Sequence, residues 1–133
     1  MIKNSYFFSF LLLSVVILSG SIFIHNFYLK STDYVFDFYQ LFVNYGVNYL
    51  MAVLIFAIMV RVNAKNTAIV GFVFLFGSMF KFLVYFTVLQ PMLKIDGELP
   101  KTKFFFFFLP YAICLVTEVY FLIKMLNSQE EVN

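Results

Sequence analysis

The chain contains few of the residues on which soluble enzymes and metal sites depend. It has one cysteine, one histidine, no tryptophan and only 12% charged residues, whereas soluble domains carry about 25%. Cys114 alone excludes an internal disulfide bond and any metal site built from several cysteines. His25 alone excludes a histidine cluster, and we expect its side chain at the water boundary rather than on a metal. The net charge of +2, without a basic cluster, argues against nucleic-acid binding.

Combinations of catalytic residues are also absent from the sequence. It has no set of serine, histidine and carboxylate, no cluster of metal ligands and no glycine-rich phosphate loop. We therefore predict that the chain is not an enzyme. The residues themselves indicate no cofactor and no metal.

Apolar residues dominate instead, at 63% of the chain, with 23% aromatic. They form four long segments, at about 6–28, 38–60, 67–90 and 104–125. A segment of about 20 apolar residues is long enough to cross a bilayer. The sequence therefore predicts an all-α polytopic membrane protein, with one membrane domain over residues 1–133 and four transmembrane helices in an antiparallel bundle.

The first apolar segment has an alternative interpretation as a signal peptide. Lys3 would supply the positive start, and Ser19-Gly20-Ser21 would supply the small residues of a cleavage site. The apolar run continues past them to Ile24, however, and is longer than the 7–15 residues typical of a signal-peptide core. This length favours a retained transmembrane helix.

Two ionisable residues lie deep inside apolar segments, Lys81 in the third and Glu118 in the fourth. A charge at the bilayer centre costs about 2.5–3.5 kcal/mol on insertion scales, so each residue needs a partner. On a helix the two residues lie about 13 Å and about 21 Å from the same membrane face. In antiparallel neighbours their side chains lean toward each other, which closes much of the difference. We predict that Lys81 and Glu118 are paired.

Further polar and small residues share these helices. Asn44 and Asn48 are four residues apart on the second segment, and asparagines inside spans commonly hydrogen-bond to another helix. Ser78 lies on the same predicted helix face as Lys81. We therefore predict a polar membrane centre of Lys81, Glu118, Asn48, Asn44 and Ser78. Small residues allow close helix approach, and the predicted packing sites are Gly20, Gly71 and Gly77.

The connections give a weaker indication of orientation. The short segment Arg61–Asn66 is purely basic, and short basic loops stay in the cytoplasm. Pro91 is expected to end the third helix. With both termini inside, each side of the membrane carries four basic residues, so counting does not decide. We place both termini in the cytoplasm because the basic segment is short and Lys3 precedes the first helix.

One run in the third segment resembles a known family. The run GFVFLFGSMFKFLVYF, with Gly77, Phe80 and Lys81, is similar to the third helix of ATP synthase protein I, in which a glycine–glutamate pair commonly precedes a phenylalanine–lysine pair. The chain length, the four segments, the basic turn, Asn48 in the second segment and Leu109-Pro110 in the fourth also match. Two positions depart from the family pattern, because Ser78 stands where the glutamate would be and Val47 where a proline is common.

The resemblance implies that the chain is a bacterial inner-membrane protein, and it also implies a function and a set of partners. Members of the family are accessories of the ATP synthase, implicated in assembling its ring of proteolipid subunits and, in some proposals, in supplying magnesium. The expected partners are therefore the lipid bilayer and the membrane subunits of the ATP synthase. Magnesium is implied by the resemblance alone.

Two other functions remain open from the residues. A small ion or metabolite transporter, acting as a homo-oligomer, would use the polar centre around Lys81 and Glu118. A proteolipid-like proton carrier would use Glu118, but its helices would need small residues for close packing, and this chain is rich in phenylalanine. The pair could also serve only to fix the register of two helices.

Overall fold

The computed structural model describes residues 2–32, 37–94, 97–98 and 101–132, and it consists of four long helices. We label them α1 (Ile2–Ser31), α2 (Phe38–Lys65), α3 (Thr67–Leu93) and α4 (Lys101–Val132). Each contains 26 or 27 residues that are apolar enough to cross a membrane. The structure therefore confirms the all-α fold with four membrane-spanning helices.

Consecutive helices run antiparallel because the connections between them are short. A span of 26 residues is about 39 Å long. The seven residues between α3 and α4 reach at most about 25 Å when fully extended, which is too short to return along a helix. Each connection therefore joins helix ends at the same face of the bundle.

The basic segment after the second span is more helical than the sequence indicated. Arg61 to Lys65 continue α2, and only Asn66 separates α2 from α3. The Asn66 side chain accepts a hydrogen bond from the Ala68 N–H at 3.0 Å, while its own N–H donates to the Val62 carbonyl. One asparagine therefore closes one helix and starts the next, and Lys65 lies favourably at the negative end of the α2 dipole.

The four helices contribute unequally to the core. In the most apolar window of α2 and of α4, 44% of the residues are buried, against 17% in α1 and in α3. The helices α2 and α4 therefore form the centre; α1 packs against both, and α3 packs mainly against α2. Aromatic rings join three of the helices, with Phe10 stacked on Phe56 at 4.4 Å and edge-on to Phe121 at 5.9 Å between ring centroids.

The predicted packing role holds for Gly77 but is wrong for Gly20 and Gly71. A Cβ atom on Gly77 would lie 2.7 Å from the Ile55 side chain of α2, so a larger residue does not fit without movement. A Cβ atom on Gly20 or Gly71 would meet nothing within 4 Å. Both residues lie beside the contact stripe of their helix rather than on it, because α1 packs through Ser21 and α3 packs through Val70.

The helix α3 changes geometry along its length. It begins with a 3-10 turn at Thr67–Ile69 and contains a π turn at Tyr85–Leu89, in which the Gln90 N–H donates to the Tyr85 carbonyl. The prediction that Pro91 ends this helix is wrong, because the helix continues through Pro91 to Leu93. The π turn moves the preceding carbonyls away from the places where a proline ring would clash in a regular helix.

We expect Gly77→Ala to destabilise the bundle, whereas Gly71→Ala should not destabilise it. The added methyl group at position 77 meets Ile55, whose branched side chain has little rotamer freedom, and such overpacking costs about 1–3 kcal/mol. Gly71 is the matched control, because the same change there enters open space. Thermal unfolding in mild detergent measures the difference. Adding Ile55→Val to Gly77→Ala should recover part of the loss, and equal stability of the two single variants would contradict the packing assignment.

Candidate functional site

A buried ion pair joins α3 to α4 inside the bundle. The Lys81 Nζ atom lies 2.8 Å from the Glu118 Oε1 atom, and each side chain is only 1% exposed. The predicted pairing of these two residues is therefore confirmed. If each charge entered the membrane alone, the two together would cost about 5–7 kcal/mol on insertion scales, which explains why they meet.

The π turn keeps the buried residues of α3 on the same side as Lys81. Tyr85, Leu89 and Leu93 follow Lys81 at steps of four residues, and all of them are buried. In a regular α-helix twelve residues would leave Leu93 about 120° away from Lys81. The π turn takes up one extra residue, which is about 100° of rotation, and so most of that drift disappears.

Glu118 lies on the inward face of α4. Cys114 and Thr117 precede it on this face and Phe121 and Met125 follow it, and all four side chains are buried. These spacings of three and four residues are those of one helix face. The carboxylate therefore points toward the other helices and not toward lipid.

An aromatic residue that the sequence did not single out completes the surroundings of the lysine. The Lys81 Nζ atom lies 5.6 Å from the centroid of the Tyr111 ring, a distance at which the ring face attracts a cation. The ring of Phe107 stacks on that of Tyr111, with 5.5 Å between the ring centroids. The centroid of the Phe82 ring lies 5.1 Å from that of Tyr111. The available signal was the spacing, because Tyr111 is seven residues, or two helical turns, before Glu118.

The other three members of the predicted polar centre make their hydrogen bonds to backbone carbonyls. Asn44 donates to the Gln40 carbonyl at 2.7 Å, and Asn48 donates to the Asn44 carbonyl at 2.8 Å. Ser78 donates to the Phe74 carbonyl of its own helix at 3.1 Å. In the described part of the chain none of them is hydrogen-bonded to Lys81 or Glu118, so hydrogen bonds do not join the five residues, and the five-residue centre stays a prediction. These three bonds run along the residues' own helices because a carbonyl four residues back is always within reach.

A second polar contact ties the helix ends at the face where α2 begins. The Lys103 Nζ atom donates to the Gln40 Oε1 atom at 3.0 Å, and the Gln40 Nε2 atom donates to the Met92 carbonyl at 3.1 Å. Asn48 also reaches α4 from this side, with a long bond of 3.5 Å to the Phe107 carbonyl. The contact joins α2, α3 and α4, and Lys103 lies just before the predicted fourth span of about 104–125.

The single histidine belongs to a third polar contact, between α1 and α2. The Tyr45 hydroxyl lies 3.1 Å from both the His25 Nδ1 atom and the Ser21 Oγ atom. The His25 ring packs edge-on against Phe106 of α4 at 5.6 Å. His25 was expected at the water boundary, and in the structure its side chain is 8% exposed and faces its neighbours instead of opening to water.

The ion pair is electrically balanced and closed off from the surface of the bundle. One positive and one negative side chain compensate each other, and both are shielded from outside. The second carboxylate oxygen, Glu118 Oε2, has no hydrogen-bond partner among the residues that the structure describes. Within those residues no group of three or more histidine, cysteine, aspartate or glutamate side chains could hold a metal ion. The pair fixes the depth and the rotation of α3 relative to α4.

We expect the single variants Lys81→Met and Glu118→Gln to be much less stable than the double variant Lys81→Met/Glu118→Leu. Removing one member leaves the other buried without its partner, at about 3–5 kcal/mol, whereas apolar replacement of both is often neutral. Lys124→Met is the control, because Lys124 is exposed and its Nζ atom lies over the Tyr120 ring rather than beside an acidic group of the described residues. The amount of protein in the membrane and its thermal unfolding in detergent measure these effects. A double variant no better than the worse single variant would contradict the pairing energetics.

No protein-family model, curated protein or solved structure matches the chain.

Proposed function

We propose that the chain is an integral inner-membrane accessory protein that assists the assembly or the stability of the ATP synthase membrane sector. The observation that carries this proposal is the sealed ion pair. A transport site must be reachable from at least one side of the membrane, and both side chains of this pair are only 1% exposed. A bundle with a closed centre acts through its outer surface.

The outer surface of α3 suits contact with another membrane protein. Large apolar side chains cover it, and several are more than half exposed: Phe72, Leu75, Phe76, Met79, Leu83 and Phe86. A helix that is attached to its own bundle by a narrow stripe leaves most of its circumference for lipid or for a partner helix. In membranes such contacts gain free energy from packing, because lipid and apolar side chains are equally apolar.

The resemblance to ATP synthase protein I supplies the identity of the partner in this proposal. The matched residues Gly77 and Lys81 are those that attach α3 to α2 and to α4, respectively. Glu118 supplies a carboxylate from the next helix, although Ser78 stands where the family has a glutamate. Magnesium handling is a weaker part of the proposal, since magnesium needs near-octahedral oxygen ligands and this site has one carboxylate beside a lysine.

A small transporter is the alternative, and a separate observation favours it. The buried oxygen atoms that lack a hydrogen-bond partner in the described part of the chain include Asn44 Oδ1, Asn48 Oδ1 and Glu118 Oε2. Buried acceptors are normally satisfied, and these three would accept bonds from water or coordinate a cation. Asn44 and Asn48 are one helical turn apart on α2, so their side chains lie on one face.

The orientation proposed here places both termini in the cytoplasm. Reporter fusions after Lys65 and after Asn133 should both report the cytoplasm, and a fusion at Gly97 should report the opposite side. The reason is that Arg61 and Lys65 lie in the last turns of α2, where short basic segments resist translocation. A cytoplasmic signal at Gly97 would overturn the orientation.

The functional test uses a strain that lacks the gene and measures the amount of assembled ATP synthase membrane sector. We expect Met79→Ala/Leu83→Ala, on the outer face of α3, to reduce this amount, because the change trims a partner contact. The matched control Val116→Ala/Ile123→Ala alters equally exposed residues on α4 and should complement fully. The double ion-pair variant, once inserted stably, should also complement, because the pair acts as architecture.

The alternative function, transport, predicts the opposite results in the same strains and in liposomes. A transporter would lose ion flux in the double ion-pair variant and keep it in both surface variants. Full complementation by the Met79→Ala/Leu83→Ala variant, together with flux by the purified protein, would replace assembly with transport.

A further inference from the structure

Two asparagine side chains of α2 are fully buried, and each has an acceptor that the protein leaves unused. Asn44 and Asn48 are both 0% exposed. The Oδ1 atom of each has no hydrogen-bond partner among the residues that the structure describes. An amide oxygen accepts up to two hydrogen bonds, and leaving a buried acceptor without any is unfavourable. Each of the two oxygens therefore requires a donor.

The two amides have the same orientation on α2. The Nδ2 atom of Asn44 donates to the Gln40 carbonyl at 2.7 Å, and that of Asn48 donates to the Asn44 carbonyl at 2.8 Å. Only an N–H group can face a carbonyl oxygen favourably, so these bonds determine which end of each amide is the oxygen. Because the same bond is repeated one helical turn later, the two Oδ1 atoms project from the same side of α2.

The spacing of the two oxygens suits one small donor between them. Side chains four residues apart on a helix are separated by about 5–6 Å. An O–H···O hydrogen bond is about 2.5–3.0 Å long, so two such bonds span that separation. A water molecule has two O–H groups and can donate one to Asn44 and the other to Asn48.

The neighbouring groups offer acceptors and apolar surface rather than donors. The Asn48 Nδ2 atom also approaches the Phe107 carbonyl at 3.5 Å, which places Asn48 against α4. Val43 and Val47, which precede the two asparagines, pack in an apolar cluster that contains the Phe107 side chain. None of these three side chains carries a hydrogen-bond donor.

The charges nearby favour a neutral donor over a cation. The Lys103 Nζ atom is bonded to Gln40, one helical turn before Asn44, and a second positive charge would be repelled there. The buried carboxylate of Glu118 is bonded to Lys81. Calcium and magnesium take six or more oxygen ligands, and the two asparagines supply two side-chain oxygens. Water needs only the two acceptors.

We propose that Asn44 and Asn48 bind one water molecule inside the bundle, which donates one hydrogen bond to each Oδ1 atom. Buried waters in proteins commonly satisfy polar groups that have no other partner. The site goes beyond the proposed assembly function and does not depend on it. The bound water joins two turns of α2 at the place where this helix meets α4.

The test records NOE and ROE cross-peaks between water and the amide protons of the full-length chain, labelled with ¹⁵N in deuterated detergent. We expect cross-peaks at the side-chain amide protons of Asn44 and Asn48. The NOE and the ROE should have opposite signs, as a bound water gives, whereas hydrogen exchange gives equal signs. The backbone N–H of Phe56 is the internal control, because Phe56 is 0% exposed and lies two turns beyond Asn48, and it should show no cross-peak.

Two variants test whether the two asparagines share the water. Asn44→Leu should abolish the cross-peak at Asn48, because the water loses one of its two acceptors. Ser78→Ala is the matched control, since it removes the same kind of side-chain bond to a carbonyl one turn back, and it should leave both cross-peaks unchanged. The wild-type cross-peaks test the site even if Asn44→Leu does not fold.

Three outcomes would overturn the proposal. The first is a wild-type chain without a water cross-peak at either asparagine. The second is an unchanged cross-peak at Asn48 in folded Asn44→Leu, which would mean that the water is not shared. The third is a shift of both side-chain amide resonances when sodium or magnesium chloride replaces choline chloride, with no water cross-peak. That result would assign the two oxygens to a cation and would favour the transporter alternative.

Discussion

The contact on which the arrangement of this bundle depends is the salt bridge between Lys81 and Glu118. In a soluble protein burial of apolar surface drives helices together, but in a bilayer the lipid is as apolar as the side chains. Helices that are held only by packing can slide and rotate at little cost. A buried lysine and a buried glutamate cannot separate without exposing each charge to hydrocarbon. The 2.8 Å contact therefore determines the depth and the facing side of α3.

The rest of α3 accommodates this requirement. Gly77 lies one turn before Lys81 and lets the helix lie against Ile55 of α2, and the π turn at Tyr85–Leu89 begins one turn after it. The close contact at Gly77 and the shift in rotation at the π turn together allow α3 to pack against both α2 and α4. A π turn is a rare local structure. Here it directly follows Lys81, the charged residue of α3 that has the largest energetic penalty for facing lipid.

Sequence reasoning succeeded where the physical signal is local and failed where it depends on a neighbour. Hydropathy alone placed the four spans, and one buried charge of each sign was enough to predict the pair. Gly20, Gly71 and Gly77 look alike in the sequence, but only the assembled bundle shows that Gly77 alone of these three lies against a neighbouring helix. The Asn44 amide bonds to a carbonyl of its own helix, whereas the Asn48 amide also reaches the Phe107 carbonyl of α4, and a sequence does not indicate which acceptor is used.

The two peripheral helices, α1 and α3, are each attached to the bundle by a polar contact, which explains why so much of their surface does not pack against other helices. α1 is held to α2 by the hydroxyl of Tyr45, which contacts His25 and Ser21, and α3 is held to α4 by the ion pair. Each contact lies at a defined depth and orients its helix, so few other positions on that helix need to pack inward. The outward faces of α1 and α3 are then free to be selected for what surrounds the bundle. The lipid around the bundle, and not its core, is therefore the constraint that acts on these faces.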